Sequence, residues 1–349
     1  MQMIKRFWGI VSLGIGVVMG LVSGQVGSAA STNPANNIGF SVSAQLPSNQ
    51  LKTGQSYFDL KMQSGQKQTL KAVIYNSTKR DIKVRTNINT AYTNQNGAIE
   101  YITAAKTVDP SLKFSLAKLT KIDGNAVVTV PANGTKTVTA KVKMPTTDFQ
   151  GVLLGGWNFE KVDEQVTGNV DGAMNVRNQY AYMIAMKYTL GKVPAPKLVL
   201  AQVKPGIDHG HQTIFPILRN VSAVIVPKLT LKTEITDRKT GKTVKQVTKH
   251  DVRLAPNSVF KYPILMAPEQ LAAGHYHLKM TAKNQQGHWT FEKDFDITAS
   301  AAKKYRRASN EHREIQPIWL VALGVLGTLI FGAVIALIIL IIRRHRQAK

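Results

Sequence analysis

The sequence predicts an all-β protein: two tandem immunoglobulin-like β-sandwich domains between a secretion signal and one C-terminal transmembrane helix. Three observations carry this. Apolar and polar residues alternate with period two through most of 40–297, a charge-free run fills 318–342, and a short basic-then-apolar segment opens the chain. Alternation of that kind marks strands with one buried face.

At the N-terminus, Lys5 and Arg6 precede the apolar stretch 7–22, and Ser28-Ala29-Ala30 follows. This is the charge, core and small-residue pattern of a signal peptide, so residues 1–30 are expected to be removed after Ala30. At the other end, a helix over 318–342 would span roughly 37 Å at about 1.5 Å per residue. The hydrocarbon core is about 30 Å thick, so the helix crosses with some tilt. Trp319 sits at the outer boundary, where an indole is favourable. Arg343 and Arg344 open the basic tail 343–349, which marks the cytoplasmic side. Lys303, Lys304, Arg306 and Arg307 also flank the helix, so the signal peptide rather than charge counting sets a single-pass type I orientation.

Between the ends, 70–75, 82–88 and 137–144 alternate cleanly, and Asn94-Gln95-Asn96-Gly97, Asp123-Gly124-Asn125 and Asn133-Gly134 punctuate them as turns. The stretch 110–119 reads as a short helix or loop. Two prolines beside Gly191, at 194 and 196, suit an extended linker and place a domain boundary near 192. The second segment repeats the grammar: 229–233 alternates, 237–242 reads as a hairpin loop, and strands follow at 244–252, 258–266, 276–282 and 289–297. Regular short strands over about a hundred residues suggest a sandwich. Residues 300–316 are polar and charged, and read as a stalk.

The chain has no cysteine, so an exported domain must be held by its own core. Export, absent cysteine and wall-side exposure together suggest a Gram-positive cell surface. The formal net charge is +25. Six of the 45 basic residues lie in the signal and tail, which leaves 39 against 20 acids, or +19, on the exposed part. A field of that sign attracts polyanions such as anionic wall polymers; general solubility explains it equally well. Nucleic acid is a poor candidate, because the lysines are scattered along strands and no reading helix or aromatic-basic sheet motif is present.

The segments Phe40-Ser41-Val42-Ser43-Ala44-Gln45-Leu46-Pro47-Ser48-Asn49-Gln50, Tyr57-Phe58-Asp59-Leu60, Gly65-Gln66-Lys67-Gln68-Thr69-Leu70 and Tyr75-Asn76 follow one another in order. Ala91-Tyr92-Thr93-Asn94-Gln95-Asn96-Gly97, Ile99-Glu100-Tyr101 and Phe149-Gln150-Gly151-Val152-Leu153-Leu154-Gly155-Gly156-Trp157-Asn158-Phe159 come next. In this order and spacing the chain resembles the WxL-interacting protein family of Gram-positive bacteria. The resemblance covers nearly the whole chain and is strongest in its first half. Ser64 stands where the family usually has proline, which should alter a turn and not the fold. The resemblance implies a peptidoglycan-binding domain over 31–192, a host-binding domain over 193–299, and WxL-domain surface proteins as partners. It implies no cofactor and no catalytic set.

Individual motif residues have two readings. Gly155-Gly156 signals a bulge or a close backbone approach. Trp157 either plugs the core or stacks on a sugar ring. Asn94 and Asn96 either shape a turn or present amides to a glycan. Asp59 is expected to bond nearby backbone. His209 with His211, and His275 with His277, place imidazoles on one strand face, with His288 near in sequence; surface histidines outweigh a zinc or pH-sensing reading. No nucleophile elbow, zincin or Walker motif is present, and nothing points to the paired carboxylates of a wall hydrolase. The favoured function is therefore a non-catalytic, membrane-anchored cell-surface protein that binds peptidoglycan and docks WxL-domain proteins. The rivals are an adhesin for host extracellular-matrix protein acting through the second domain, and a wall-active hydrolase.

Overall fold

A computed structural model of the chain describes residues 39–162, 181–267, 271–309 and 317–347. The expected signal peptide lies outside them. Twelve elements build the first sandwich: β1 (Phe40–Gln45), β2 (Phe58–Met62), β3 (Lys67–Asn76), β4 (Ile82–Thr90), β5 (Tyr92–Thr93), β6 (Ile99–Glu100), α1 (Leu116–Leu119), β7 (Thr120–Asp123), β8 (Val127–Val130), β9 (Thr135–Lys143), β10 (Gly151–Lys161) and β11 (Ala181–Leu190). One sheet runs β1-β3-β9-β7 and the facing sheet runs β2-β11-β10-β4-β8. All pairs are antiparallel except β11 with β2.

Alternation does the sorting. Leu70, Ala72 and Ile74 of β3 and Val138, Ala140 and Val142 of β9 point into the core, and their neighbours point out. Strand β10 departs from this, being buried along nearly its whole length. One face carries Trp157 and Phe159 into the core. The other is covered by the excursion between β4 and β7. The register with β4 and β11 runs unbroken through Gly155 and Gly156, so the glycines make no bulge. They permit close approach on opposite faces: a Cβ on Gly155, on the core face with Trp157, would crowd the Asn89 carbonyl and stand 2.8 Å from Leu116, and one on Gly156, on the covered face, would stand 2.9 Å from Tyr101.

Motif segments at the rim are tied by amides. Asn49 and Gln68 exchange side-chain hydrogen bonds of 3.0 and 2.8 Å. Gln50 donates to the Tyr57 carbonyl and accepts from the Asp59 N–H. Asn76 donates to the carbonyls of Arg80 and Pro131, clamping two turns together. The Ser64 hydroxyl donates to the Pro145 carbonyl. The Asp59 carboxylate does not bond backbone as expected; it is buried and ion-pairs with Lys187 Nζ at 3.0 Å, its neighbour across the parallel strand pair.

The second sandwich comprises β12 (Leu198–Asp208), β13 (His211–Asn220), β14 (Val226–Asp237), β15 (Thr243–Leu254), β16 (Ser258–Lys261), β17 (Ile264–Leu265), β18 (Gly274–Asn284) and β19 (Gly287–Ile297). Sheet β12-β13-β16, with β17 also on β13, faces sheet β15-β14-β18-β19. Its core gathers Leu218, Leu229, Leu231, Phe260, Leu278 and Met280 among others. The stretch read as a charged stalk differs from that reading. Its first half is helix α2 (Ala299–Ala308), capped by Thr298, with Ala302 buried and Tyr305 packed on the second core. Ala302 and Tyr305, one turn apart on one helix face, supply an apolar contact that the lysines and arginines around them obscure in sequence. Helix α3 (Pro317–Gln347) contains Trp319, Arg343 and Arg344; within it 324–341 is apolar and long enough to cross a membrane.

Trp157 is fully buried beside Phe58 and Phe159, and its indole N–H donates to the Thr86 hydroxyl. Trp157→Ala should destabilise the fold by about 3–5 kcal/mol, and Trp157→Phe by roughly 1–2 kcal/mol through the orphaned Thr86 hydroxyl. Urea unfolding midpoints of the two variants against the parent would check the order and the size.

Candidate functional site

The excursion between β4 and β7 does more than cover β10. It reaches the second sandwich and fastens the two together. Its tip is the hairpin β5–β6, whose turn is set by local chemistry: Asn94 Oδ1 accepts from the N–H groups of Asn96 and Ala98 at 3.0 and 3.1 Å. Gly97 takes the left-handed φ of +75° that closes such a turn. Its carbonyl then accepts from Arg253 N–H at 2.7 Å, and a Cβ there would crowd Val252 and Phe260 at 3.1–3.3 Å. Beside it, Thr93 is buried. Its hydroxyl accepts from Ala255 N–H at 2.9 Å and lies 2.7 Å from the Ser258 hydroxyl. Ser258 spends its own proton on the Ala255 carbonyl, so Thr93 is the donor to Ser258.

Further along the excursion, Asp109 meets Arg219 of β13. The guanidinium grips both carboxylate oxygens, Nε to Oδ2 at 2.6 Å and Nη2 to Oδ1 at 2.8 Å. The Asp109 side chain has no exposure and Arg219 keeps 26%. Burial alone would raise the Asp109 pKa; the bonds from Arg219 and Ser111 outweigh it and hold the carboxyl below its ordinary value. The Asp109 hydrogen bond raises that of Arg219. Asn257, at a left-handed φ of 47°, donates to Ser111 and to the Val221 carbonyl. The start of β10 completes the contact. Val152 N–H donates to the Ala223 carbonyl at 2.7 Å, and a Cβ on Gly151 would stand 2.5 Å from Ala223. A small apolar cluster of Ala91, Val152 and Leu154 receives Ile225 across the same junction.

Between these fastenings a cleft of about 720 Å³ opens, lined by the excursion on one side and by 257–261 on the other. Its walls are mainly amides, hydroxyls and small apolar groups, among them Asn94, Thr103, Ala105 and Ser115, with Lys106 and Lys261 as cations. Lys261 Nζ sits 3.9 Å from the Phe215 ring centroid. Asp109 is the one acid on the wall, and Arg219 occupies both of its oxygens. An acid–base hydrolysis needs two carboxylates across a cleft; among the described residues this cleft offers no such pair.

The structure distributes the sequence-derived site residues differently from a single binding face. Trp157 has no face to offer a sugar. Asn94 lines the cleft but its side-chain oxygen is committed to the turn, while Asn96 is exposed at the tip. The residues that fasten the sandwiches, Asp109, Ser111, Arg219 and Asn257, were not singled out. Asp109-Pro110-Ser111 carries a turn signal, yet nothing local names a partner 110 residues away. Residues 191–197 connect β11 to β12 without strand or helix, and the sandwiches are clasped elsewhere as well. His209 lies in the β12–β13 turn at a φ of 47°, so it does not share a strand face with His211. His275 and His277 do share a face of β18. Each meets an aspartate of β19, Asp296 at 2.6 Å and Asp294 at 2.7 Å, and Arg238 also reaches Asp294. Among the described residues no three His, Asp or Glu side chains gather as a metal site requires.

Two family models match the chain. "WxL Interacting Protein, peptidoglycan binding domain" matches 40–161, and "WxL Interacting Protein, host binding domain" matches 171–307. The second range takes in β11, which lies in the first sandwich's sheet. No curated protein matches. Similar solved structures include the E. coli chaperone DraB, 12% identical over 74% of this chain and 98% of that one, with a TM-score of 0.27. The CsuC–CsuE chaperone–tip subunit complex of Acinetobacter baumannii is 13% identical over 66% and 93%, with a TM-score of 0.30. The SafB chaperone with SafA pilin of Salmonella enterica is 8% identical over 74% and 96%, with a TM-score of 0.27.

Removing one partner of the interdomain ion pair should loosen the junction. Asp109→Ala is expected to destabilise by about 2–3 kcal/mol, less than a wholly buried pair because Arg219 is partly exposed. Gly151→Val should separate the sandwiches without melting either, read as hydrogen exchange rising at 93–97 and 255–258 alone. The Asp109 contribution also has a pH sign. Its folded pKa is lowered, so the stabilisation is complete above the ordinary carboxylate value of about 3.9. It fades as pH falls through the folded value, and Asp109→Asn should flatten that acid limb of the stability–pH curve.

Proposed function

The chain belongs to the WxL-interacting protein family, and from that premise we propose that it is a non-catalytic, membrane-anchored surface protein that holds cell-wall peptidoglycan and docks WxL-domain proteins beside it. The observation that carries the reading is the adjacency of a peptidoglycan-binding match and a host-binding match in one clasped unit, followed by an apolar helix. Peptidoglycan is assigned to the interdomain cleft. Its amides and hydroxyls suit the N-acetyl groups and peptide amides of that polymer, and its lack of a free carboxylate pair suits binding without turnover. WxL-domain partners are assigned to the second sandwich. Strand β15 is an edge of its sheet; its Arg253 end is taken by the Gly97 carbonyl, and the length before it gives a partner backbone to pair with. Anchoring by α3 keeps both ligands near one surface, where several weak contacts raise effective concentration.

The host-binding match supports a second reading, an adhesin for extracellular-matrix protein acting through the second sandwich. The readings part in a sedimentation experiment. Purified sacculi should carry down the full chain in neutral detergent at low and at high salt. Ala105→Trp, which fills the cleft, should cut that retention at least tenfold while circular dichroism stays unchanged. Capture of a purified WxL-domain protein should survive the substitution. Unaltered sacculus binding by Ala105→Trp would remove the cleft from the account. Matrix-protein binding that proceeds with no WxL capture would install the adhesin reading instead.

A further inference from the structure

Sheet β1-β3-β9-β7 turns one face to the core and leaves the other open. Period two puts Lys67 and Lys71 of β3, Lys141 and Lys143 of β9, and Lys121 of β7 on that open face, all exposed. The register then sets them against one another. Lys67 lies opposite Lys143, and Lys121 lies opposite Lys141. Like charges directly opposite one another destabilise an antiparallel pair. A single acid shares the face, Asp123, which takes Lys141 at 2.9 Å. Among the described residues Lys67, Lys71, Lys121 and Lys143 have no acidic partner. Their neighbours on the face are Thr69, Thr139 and Gln45, which are uncharged hydrogen-bonding groups. Tyr75, at the far end of β3, is the one ring on the face, so it offers no row of aromatic platforms for sugars.

We propose that this lysine face binds a phosphodiester-linked anionic polymer of the cell wall, a second wall ligand separate from peptidoglycan. Charge complementarity selects the occupant. A closely spaced cationic grid is relieved by a chain with a charge at each repeat, whereas a glycan strand is neutral and carries its charges only on its peptide stems. Every cation on the face is lysine, a compact point charge that can follow phosphate oxygens along a flexible polymer without a fixed two-point geometry. A phosphodiester also stays charged in acid, where stem carboxylates titrate near 4. No residue of the interdomain clasp lies on this face, so the two ligands do not compete for it.

The test uses the full chain in neutral detergent and three probes: poly(glycerol phosphate), poly-glutamate, and sacculi stripped of phosphodiesters. The variant is Lys67→Gln with Lys121→Gln and Lys143→Gln. It should lose at least tenfold in affinity for poly(glycerol phosphate). The slope of log affinity against log salt should fall by about two, at roughly 0.7 per lost contact. Its thermal midpoint should hold or rise, because two opposed pairs are relieved, and its retention on stripped sacculi should not change. Equal poly(glycerol phosphate) binding by parent and variant would overturn the proposal. An equal loss on poly-glutamate would overturn the assignment to phosphodiesters. A parallel loss on stripped sacculi would place these lysines in the peptidoglycan site and end the claim of a second ligand, leaving the first intact.

Discussion

The bidentate contact of Asp109 with Arg219 is the constraint around which the rest of the ectodomain is arranged. A carboxylate with no exposure is tolerated only when its charge is met, and here the partner comes from the other sandwich. The excursion that carries Asp109 is therefore committed to crossing the junction. Everything else in the crossing follows its path: the Thr93–Ser258–Ala255 relay, the Gly97 carbonyl on Arg253, the Asn257 amide on Ser111. Two domains that composition would leave on a tether become one clasped body. The cleft exists because the clasp holds the two sandwiches in contact at several points and not between them.

The same excursion explains why β10 is buried on both faces while its neighbours β4 and β11 largely alternate. Gly156 removes the side chain that would hold the cover away, and Tyr101 fills the space, while Gly155 on the core face makes room for Leu116. The small cluster of Ala91, Val152 and Leu154 then extends to Ile225, so the apolar cover of one sandwich becomes an apolar contact with the next. In a chain without cysteine, this continuity of packing does what a disulfide would do at a domain junction.

The surfaces left open differ in chemistry. The cleft is amide- and hydroxyl-rich, the outer face of the first sandwich is a lysine grid, and the outer face of the second carries alternating partners, His275 with Asp296, His277 with Asp294 and Lys279 with Glu292. The contrast between the two outer faces is informative. On β18 and β19, His275, His277 and Lys279 are each placed across from an acid, as cross-strand stability favours. On β3, β9 and β7 lysines face lysines. Both patterns arise from the same period-two geometry, so the difference lies in the choice of residue, not in the architecture.

What the sequence determined by itself was whatever repeats locally. The strands of 70–75, 82–88, 137–144 and 229–233, the turns at Gly97, Gly124 and Asn133, the apolar terminal helix and the all-β class follow from periodicity and turn chemistry confined to a few neighbouring residues. The motif residues that carried the family resemblance were legible as important, and a core role for Trp157 and a turn role for Asn94 were among their readings, but their partners were not: Trp157 meets Thr86, Asn76 fastens two turns, and the Asn94 turn is the tip of a clasp. Tertiary structure alone decided that Asp109 finds Arg219, that Asp59 finds Lys187 across a parallel pair, that Ala302 and Tyr305 dock a helix where a stalk was expected, and that Lys67 faces Lys143. Each of these joins residues far apart in the chain. Such pairings are fixed by sheet register and domain docking, which minimise buried charge and apolar exposure over the whole molecule, and no local window of sequence contains that sum.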